Sequence, residues 1–351
     1  MRILLLHSSS DLYGASKIFL QTAQILKAQG HKCHVVVSAN GPLVDKLKQD
    51  NIQVTVINLG IIRRKYFSPL GIINRVKKWY QASALLIKHI SQNGIELVYA
   101  NTTAVLLGAW LANKNNIKHI WHVHEIIEKP KFLMLFIQWI MKRYTAKIIC
   151  VSKAVQDHWS INNPSLLSKM QVVYNGIGPV EKSTEANFKT QYQIPEEAIV
   201  IGMAGRVHFW KGQQYFLQIA KQLLNRSKEN NLTAPLYFII TGDAYPGYEY
   251  LVDEIQNFIK NNQLEDRIFY TGFEDEMDKF YSSIDLLILP SQLPDPLPTV
   301  VLEAMQYGIP VVATAQGGAL EMIAENETGI FIPMDDAMVI RISQFTDLVY
   351  R

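Results

Sequence analysis

The sequence predicts an α/β chain of two doubly wound, Rossmann-like domains, and three observations predict it. Short runs rich in Val and Ile alternate with amphipathic stretches about every 30 residues, the pattern of parallel strands covered by helices. That alternation pauses once, over the polar, Gly- and Pro-punctuated stretch GIGPVEKSTEANFKTQYQIPEE at 176–197. The length of 351 residues exceeds one ordinary core and suits two domains of about 150 to 200 residues each. Domains are therefore expected at 1–178 and 198–351, with 179–197 as a linker.

The first element, MRILLLHSSS, is too short in its apolar part for a secretory signal and reads as a strand at 2–7 ending in a polar loop. Further strands are expected near 32–38, 52–57, 95–100, 117–122, 146–151 and 170–174. Between the last three, FLMLFIQWIM at 132–141 is apolar but far short of the roughly 20 residues that span a bilayer. The second series opens with AIVIGMAG and continues near 236–241, 267–271, 285–290, 310–313 and 329–332. Open parallel sheets bind ligands beyond the carboxyl ends of their strands, so a substrate is expected in a cleft between two such domains.

Composition narrows the class. With 48% hydrophobic and 19% charged residues the chain is globular, neither disordered nor fibrous. Cys33 and Cys150 each sit in an apolar run, which suits buried, reduced thiols and a cytoplasmic location. The net charge of +3 conceals an asymmetry: residues 1–180 hold 22 Lys and Arg against 7 Asp and Glu, giving +15, and the remainder holds 12 against 24, giving −12. The basic half is expected to face something anionic.

Candidate chemistry concentrates in the second half. Gly205-Arg206 ends a strand and Lys211-Gly212 opens a helix, so two cations five residues apart can grip a diphosphate beside a helix N-terminus. A pair of solvated surface charges is the plainer reading. In PSQLPDPLPTVVLEAMQYGIPVVAT, three prolines stiffen a loop carrying Asp295, and Thr299 opens a helix with Glu303 in its early turns. Ionised carboxylates only accept hydrogen bonds, which matches the paired donors of sugar diols, although Glu303 can equally be a capping carboxylate. Gly317-Gly318 lies between a strand and a further helix, where backbone amides can approach a phosphate.

The order Gly-Arg, Lys-Gly, acid-Pro, Glu-Ala-Met, Gly-x-Pro-Val-Val and Gly-Gly-x-x-Glu resembles the donor domain of the family 4 glycosyltransferases, retaining enzymes of the GT-B fold. The resemblance covers almost the whole chain. It implies that Arg206 and Lys211 hold the donor diphosphate in place of a metal, that Glu303 binds the ribose diol, and that Asp295 contacts the transferred sugar. It also implies that Gly317 and Gly318 lie against donor sugar and phosphate while Glu321 supports their loop. In the first domain, Tyr13-Gly14-Ala15-Ser16 stands where the family has a glycine-bearing loop after strand one, with Gly14 on the donor side. The segment WHVHE resembles the family's His-acid pair, with His124 as the active-site histidine, Glu125 beside it and His122 on the same side of the strand. Three departures are visible: Asp295 replaces a glutamate, the first loop has one glycine where many relatives have two, and little sequence after the last strand is left for a C-terminal helix returning to the first domain.

The expected activity is retaining transfer of a sugar from a nucleoside diphosphate sugar to a hydroxyl acceptor, a growing bacterial surface glycan or its lipid carrier, without a metal or other cofactor. A nicotinamide enzyme would need a G-x-G-x-x-G turn, and a metal-dependent transferase would favour D-x-D; neither occurs where it is needed. A nucleotide-sugar epimerase of the same fold and a silent nucleotide-sugar binder are the alternatives. The basic, aromatic stretches RRKYFSPL, RVKKWY and KPKFLMLFIQWIMKRY suggest an anionic membrane surface on the cytoplasmic side as a partner, against a core helix at 132–143. No nucleic-acid module accompanies the charge.

Overall fold

Runs of Val, Ile and Leu form strands here because both faces of a parallel sheet are covered by helices and branched side chains fill them. The structure, a computed structural model, describes residues 1–61, 68–178, 187–229, 234–245 and 247–332. It divides into two compact units, Met1–Gly176 and Ile177–Arg351.

In the first unit the strands are β1 (Arg2–His7), β2 (Lys32–Val37), β3 (Gln53–Val56), β4 (Leu97–Asn101), β5 (Lys118–Val123), β6 (Lys147–Cys150) and β7 (Met170–Val172). They are ordered β3-β2-β1-β4-β5-β6-β7, with every pairing parallel. Leu4, Leu5 and Leu6 of β1 are fully buried, as the centre of a doubly covered sheet requires. The chain reverses its winding between β1 and β4, so the carboxyl ends of these two strands flank the switch point where such sheets bind ligands.

The second unit repeats the plan with β8 (Ile199–Ala204), β9 (Leu236–Thr241), β10 (Ile268–Gly272), β11 (Leu286–Leu289), β12 (Val311–Thr314) and β13 (Gly329–Ile332). Their order is β10-β9-β8-β11-β12-β13, again parallel, with the switch between β8 and β11. All the strands expected from the sequence are present, with ends shifted by a residue or two.

Of the stretch read as a linker, residues 179–186 lie outside the described residues. Phe188, further along, is buried in the second core, and its N–H donates to Ser283 Oγ at 2.7 Å. Residues 187–197 therefore pack as part of the second unit. The expectation about the C-terminal helix concerns residues 333–351, also outside the described residues, as are residues 62–67 of the first basic stretch. Cys150 is fully buried and burial pushes its thiol up to about 12, while Cys33 is half-buried; both are free thiols. No helix among the described residues is long and apolar enough to cross a membrane.

Candidate functional site

Around the second switch point the loops are pressed together by glycines. Gly205 follows β8 at φ +145°, and a Cβ on Gly242, after β9, would stand 2.1 Å from the Gly205 carbonyl oxygen. Gly212 has φ +89°, and its Cβ would meet the Pro290 carbonyl at 1.9 Å, so only glycine lets the loop after β8 lie on the loop after β11. Gln292 ties the same loops, donating from its N–H to Trp210 O at 2.7 Å and from Nε2 to Phe209 O at 2.6 Å.

The two predicted cations sit on this platform. Lys211, at the end of the short 3-10 turn Phe209–Lys211, pairs with Asp295 Oδ2 at 2.5 Å and rides 4.3 Å over the Trp210 ring. Arg206 stands 5.1 Å over the Tyr245 ring. Because Tyr245 follows β9 and Asp295 follows β11, the cations lean to opposite sides of β8, the strand that borders the switch point.

Asp295 is 8% exposed, and its main chain is backed by the glycine pair. The missing Cβ of Gly317 would fall 2.3 Å from Asp295 O, that of Gly318 2.2 Å from Pro296 O, and the Gly318 N–H donates to Asp295 O at 2.7 Å. These glycines thus seat the acid-bearing loop, and the Gly318 amide is committed to it. Glu321 lies on the short helix Ala319–Met322 that follows, its N–H donating to Gly318 O at 3.1 Å. Glu303 lies one turn inside the helix Thr299–Tyr307, beyond the positions where a carboxylate caps. It accepts a hydrogen bond from Tyr281 Oη at 2.7 Å. Burial, reinforced by the Glu303 carboxylate, holds the Tyr281 phenol well above its ordinary range, so it stays protonated and donates. That bond occupies one Glu303 oxygen and leaves the other as an acceptor.

At the first switch point the chemistry is different. His7 and Asn101 end β1 and β4 side by side, paired in register, and Asn101 pairs in turn with His122 of β5. A chain of hydrogen bonds runs from the loop after β1 to the residue after β5. Asp11 Oδ1 accepts from Ser16 Oγ at 2.8 Å, Ser16 Oγ meets His7 Nε2 at 2.9 Å, His7 Nδ1 meets Asn101 Nδ2 at 3.1 Å, and Asn101 Oδ1 meets His124 Nε2 at 2.9 Å. Desolvation, with His122 and His7 nearby, keeps the His124 imidazole far below its usual range and hence neutral. The His122 ring centroid lies 4.1 Å from that of His124, the rings tilted 45° apart; His122 meets Tyr99 Oη at 2.5 Å through Nδ1 and is driven to about 4 by burial. Burial raises the Glu125 carboxyl, while its Oε2 accepts from the N–H groups of Thr103 at 2.9 Å and His124 at 3.2 Å, so this residue braces the backbone around His124. Gly14 opens the helix Gly14–Ala28, with Tyr13 as its N-cap and Ser16 turned into the chain just described. Beside it lies a cavity of about 390 Å³ lined by Ser9, Ser10, Asp11, Asn40, Asn58 and Arg75 among others.

The helix Lys131–Tyr144 resolves the tension between a core and a surface role by serving both. Met134, Ile137, Ile140 and Met141 are buried, whereas Phe132, Leu135, Phe136 and Trp139 form an exposed stripe at helical spacing. On the helix Pro69–Asn93, Ile73, Val76 and Tyr80 are likewise exposed.

Sequence reading did not find His7, Asp11, Asn101, Tyr245 or Tyr281. A signal existed for two of them: His7 and Asn101 are polar residues closing the apolar runs RILLLH and LVYAN at strand ends. Asp11 is tied to its own loop through Ser9, Tyr13 and Ser16, whereas Tyr245 and Tyr281 acquire roles through partners distant in sequence.

Residues 13–180 match the family described as Glycosyltransferase Family 4, and residues 184–347 match Glycosyl transferases group 1. An uncharacterized glycosyltransferase of Methanocaldococcus jannaschii is 27% identical over 198 residues, 54% of this chain and 47% of that protein, so the matched part spans about half of that relative. A UDP-Gal:alpha-D-GlcNAc-diphosphoundecaprenol alpha-1,3-galactosyltransferase of Escherichia coli is 24% identical over 93% of this chain and 82% of its own length. Among solved structures, the Anabaena protein HepE in complex with UDP-glucose superimposes with a TM-score of 0.81 at 23% identity, covering 100% of this chain and 90% of that one.

Proposed function

The chain belongs to the family 4 glycosyltransferases with the GT-B fold, and from that premise we propose that it moves a sugar from a nucleoside diphosphate sugar to a hydroxyl acceptor with retention of anomeric configuration. In that reaction the bond from the sugar's anomeric carbon to the diphosphate breaks, one to the acceptor oxygen forms, and the acceptor proton leaves with the nucleoside diphosphate. The observation that carries the reading is the mostly buried Lys211–Asp295 pair at the second switch point, with Arg206 on the other side of β8. The cation and the acid satisfy one another. A bound donor supplies a diphosphate for Lys211 and Arg206 and sugar hydroxyls for Asp295, so each partner exchanges one contact for another and neither is left buried and bare. Glu303, held by Tyr281, keeps an oxygen for the ribose diol. The glycine pair seats the Asp295 loop, and charge neutralisation by the two side chains takes the part a metal would otherwise play.

On the acceptor side, the cavity by the first loop is lined with hydroxyl, amide and carboxylate groups and one guanidinium, a lining suited to a sugar ring. The E. coli relative acts, by its name, on a diphosphoundecaprenol-linked sugar. A lipid-linked glycan acceptor for this chain agrees with the exposed stripe Phe132, Leu135, Phe136 and Trp139, flanked by Lys129, Lys131, Lys142 and Arg143 on a unit of charge +15. We place that stripe against an anionic membrane surface, where each cation adds about 1 kcal/mol.

Incubation with radiolabelled nucleoside diphosphate sugars, alone and with lipid-linked or glycan acceptors, tests the activity. Labelled acceptor whose new linkage keeps the donor's anomeric configuration is expected; conversion of the donor without any acceptor, or an inverted linkage, overturns the reading. Flotation with anionic vesicles tests the surface. Binding should weaken with salt and with Phe136→Ser/Trp139→Ser, and binding indifferent to both contradicts it.

A further inference from the structure

The hydrogen-bond chain of the first unit has only one self-consistent direction, and it can be read from its carboxylate end. Asp11, when ionised, accepts only, and it also receives the Ser9 hydroxyl at 2.7 Å and the Tyr13 N–H at 3.2 Å. Ser16 therefore donates its single proton to Asp11 and must accept from His7 Nε2. A neutral His7 protonated on Nε2 carries a bare lone pair on Nδ1, which accepts from the Asn101 amide nitrogen. That amide nitrogen also reaches the Ala15 carbonyl at 3.3 Å, an acceptor with no donor to offer. A flipped Asn101 would set oxygen against oxygen there, so the orientation is fixed from two sides. Asn101 Oδ1 then faces His124 and can only accept, which puts the His124 proton on Nε2.

We propose that Asn101, held by His7, Ser16 and Asp11, is a positioning residue that locks His124 in the Nε2–H tautomer, so that His124 offers the unprotonated Nδ1 to a ligand as a hydrogen-bond acceptor. Among the described residues Nδ1 of His124 has no hydrogen-bond partner. A bare imidazole nitrogen receives a hydroxyl and offers nothing to a phosphate oxygen, so the ligand group it selects is a sugar O–H. The groups around His124 agree with a neutral ring. His122, packed against it, is itself neutral, Glu125 uses its carboxylate on backbone N–H groups, and Asp11 lies four hydrogen-bond links away. The sugar hydroxyl rests on the glycosyltransferase reading; the tautomer does not.

The test uses the full chain labelled with ¹⁵N-histidine and long-range ¹H–¹⁵N correlation spectra, with the His124 signals identified by their loss in His124→Gln. The unaltered protein should show a protonated Nε2 and an unprotonated Nδ1 at neutral pH, with no substrate present. Asn101→Leu, which removes the acceptor and keeps the side-chain size, should give a mixture of both tautomers, while the thermal shift produced by UDP, which reports on the second unit, stays unchanged. A protonated Nδ1 in the unaltered protein overturns the proposal whether or not the variant folds, and so does a pure Nε2–H signal in Asn101→Leu. Because neither reading requires turnover, failure of the transferase assignment leaves this result standing, and failure here leaves the transferase assignment untouched.

Discussion

The two units share one fold and put their polar residues at the same place, the carboxyl ends of strands flanking a switch point, yet they hold opposite kinds of chemistry there. The second unit gathers formal charge there: a Lys–Asp pair at 2.5 Å, an arginine over a tyrosine, and a glutamate gripped by a phenol. The first unit, although it carries the +15 excess, builds its site mainly from imidazole, amide and hydroxyl groups joined by hydrogen bonds, with the Asp11 carboxylate at one end and Arg75 lining the adjacent cavity. A diphosphate needs the first kind of site and a hydroxyl the second. The fold supplies a location, and the loops supply the chemistry.

The largest expected effect breaks the charged half of this contrast. Arg206→Ala and Glu303→Ala should each lower transfer strongly, Arg206→Ala by about 10²- to 10³-fold in kcat, the range for removing one group that stabilises a developing negative charge. Both should leave the thermal unfolding midpoint close to that of the unaltered protein, since both side chains are only partly buried and neither belongs to a hydrophobic core of the second unit. Steady-state kinetics with a radiolabelled donor provides the measurement. Near-normal turnover in either variant removes that residue from the donor site. A loss confined to KM would mean that Arg206 holds the donor equally in ground and transition states.

How much of this was legible in sequence follows from the range of each interaction. Strands were legible because their signal, a short apolar run between turn residues, is local, and the expected runs match β1 to β13 in the structure. The loop around Asp295 was legible for the same reason: proline, glycine and the helix start at Thr299 lie within a few residues of it. What the loop presses against was not. Gly212 against Pro290 and Gly317 against Asp295 are contacts between separate strand ends, and a single glycine in sequence does not announce which carbonyl needs the space. Asn101 shows the limit most clearly. It closes an apolar strand like many a solvated residue, and only the register of β4 with β1 and β5 reveals that it bridges two histidines separated by more than a hundred positions.

A smaller effect sharpens the neutral half of the contrast, through acid. Eight of the nine histidines lie in the first unit, and burial lowers His34 to about 4, His119 to about 3 and His122 to about 4. Each is neutral when folded, so between its folded value and the unfolded one near 6.5 the unfolded chain binds the extra proton. The stability these groups contribute is therefore complete above about pH 6.5 and is lost as pH falls toward 4, at up to about 1.4 kcal/mol per pH unit for a fully buried one such as His119 and less for His34, which is more accessible to solvent. Glu125 opposes this, because burial raises its carboxyl and the folded state holds that proton longer, but it is one group against several. Five of the six tryptophans, Trp79, Trp110, Trp121, Trp139 and Trp159, report on the first unit. Urea titrations followed by tryptophan fluorescence should show a midpoint that falls steadily from pH 6.5 to 4, while hydrogen exchange in β8, β9 and β11 slows its decline over the same interval. Equal acid sensitivity in both units would mean that the first site is not held together by neutral imidazoles, and the comparison between the two would lose its chemical basis.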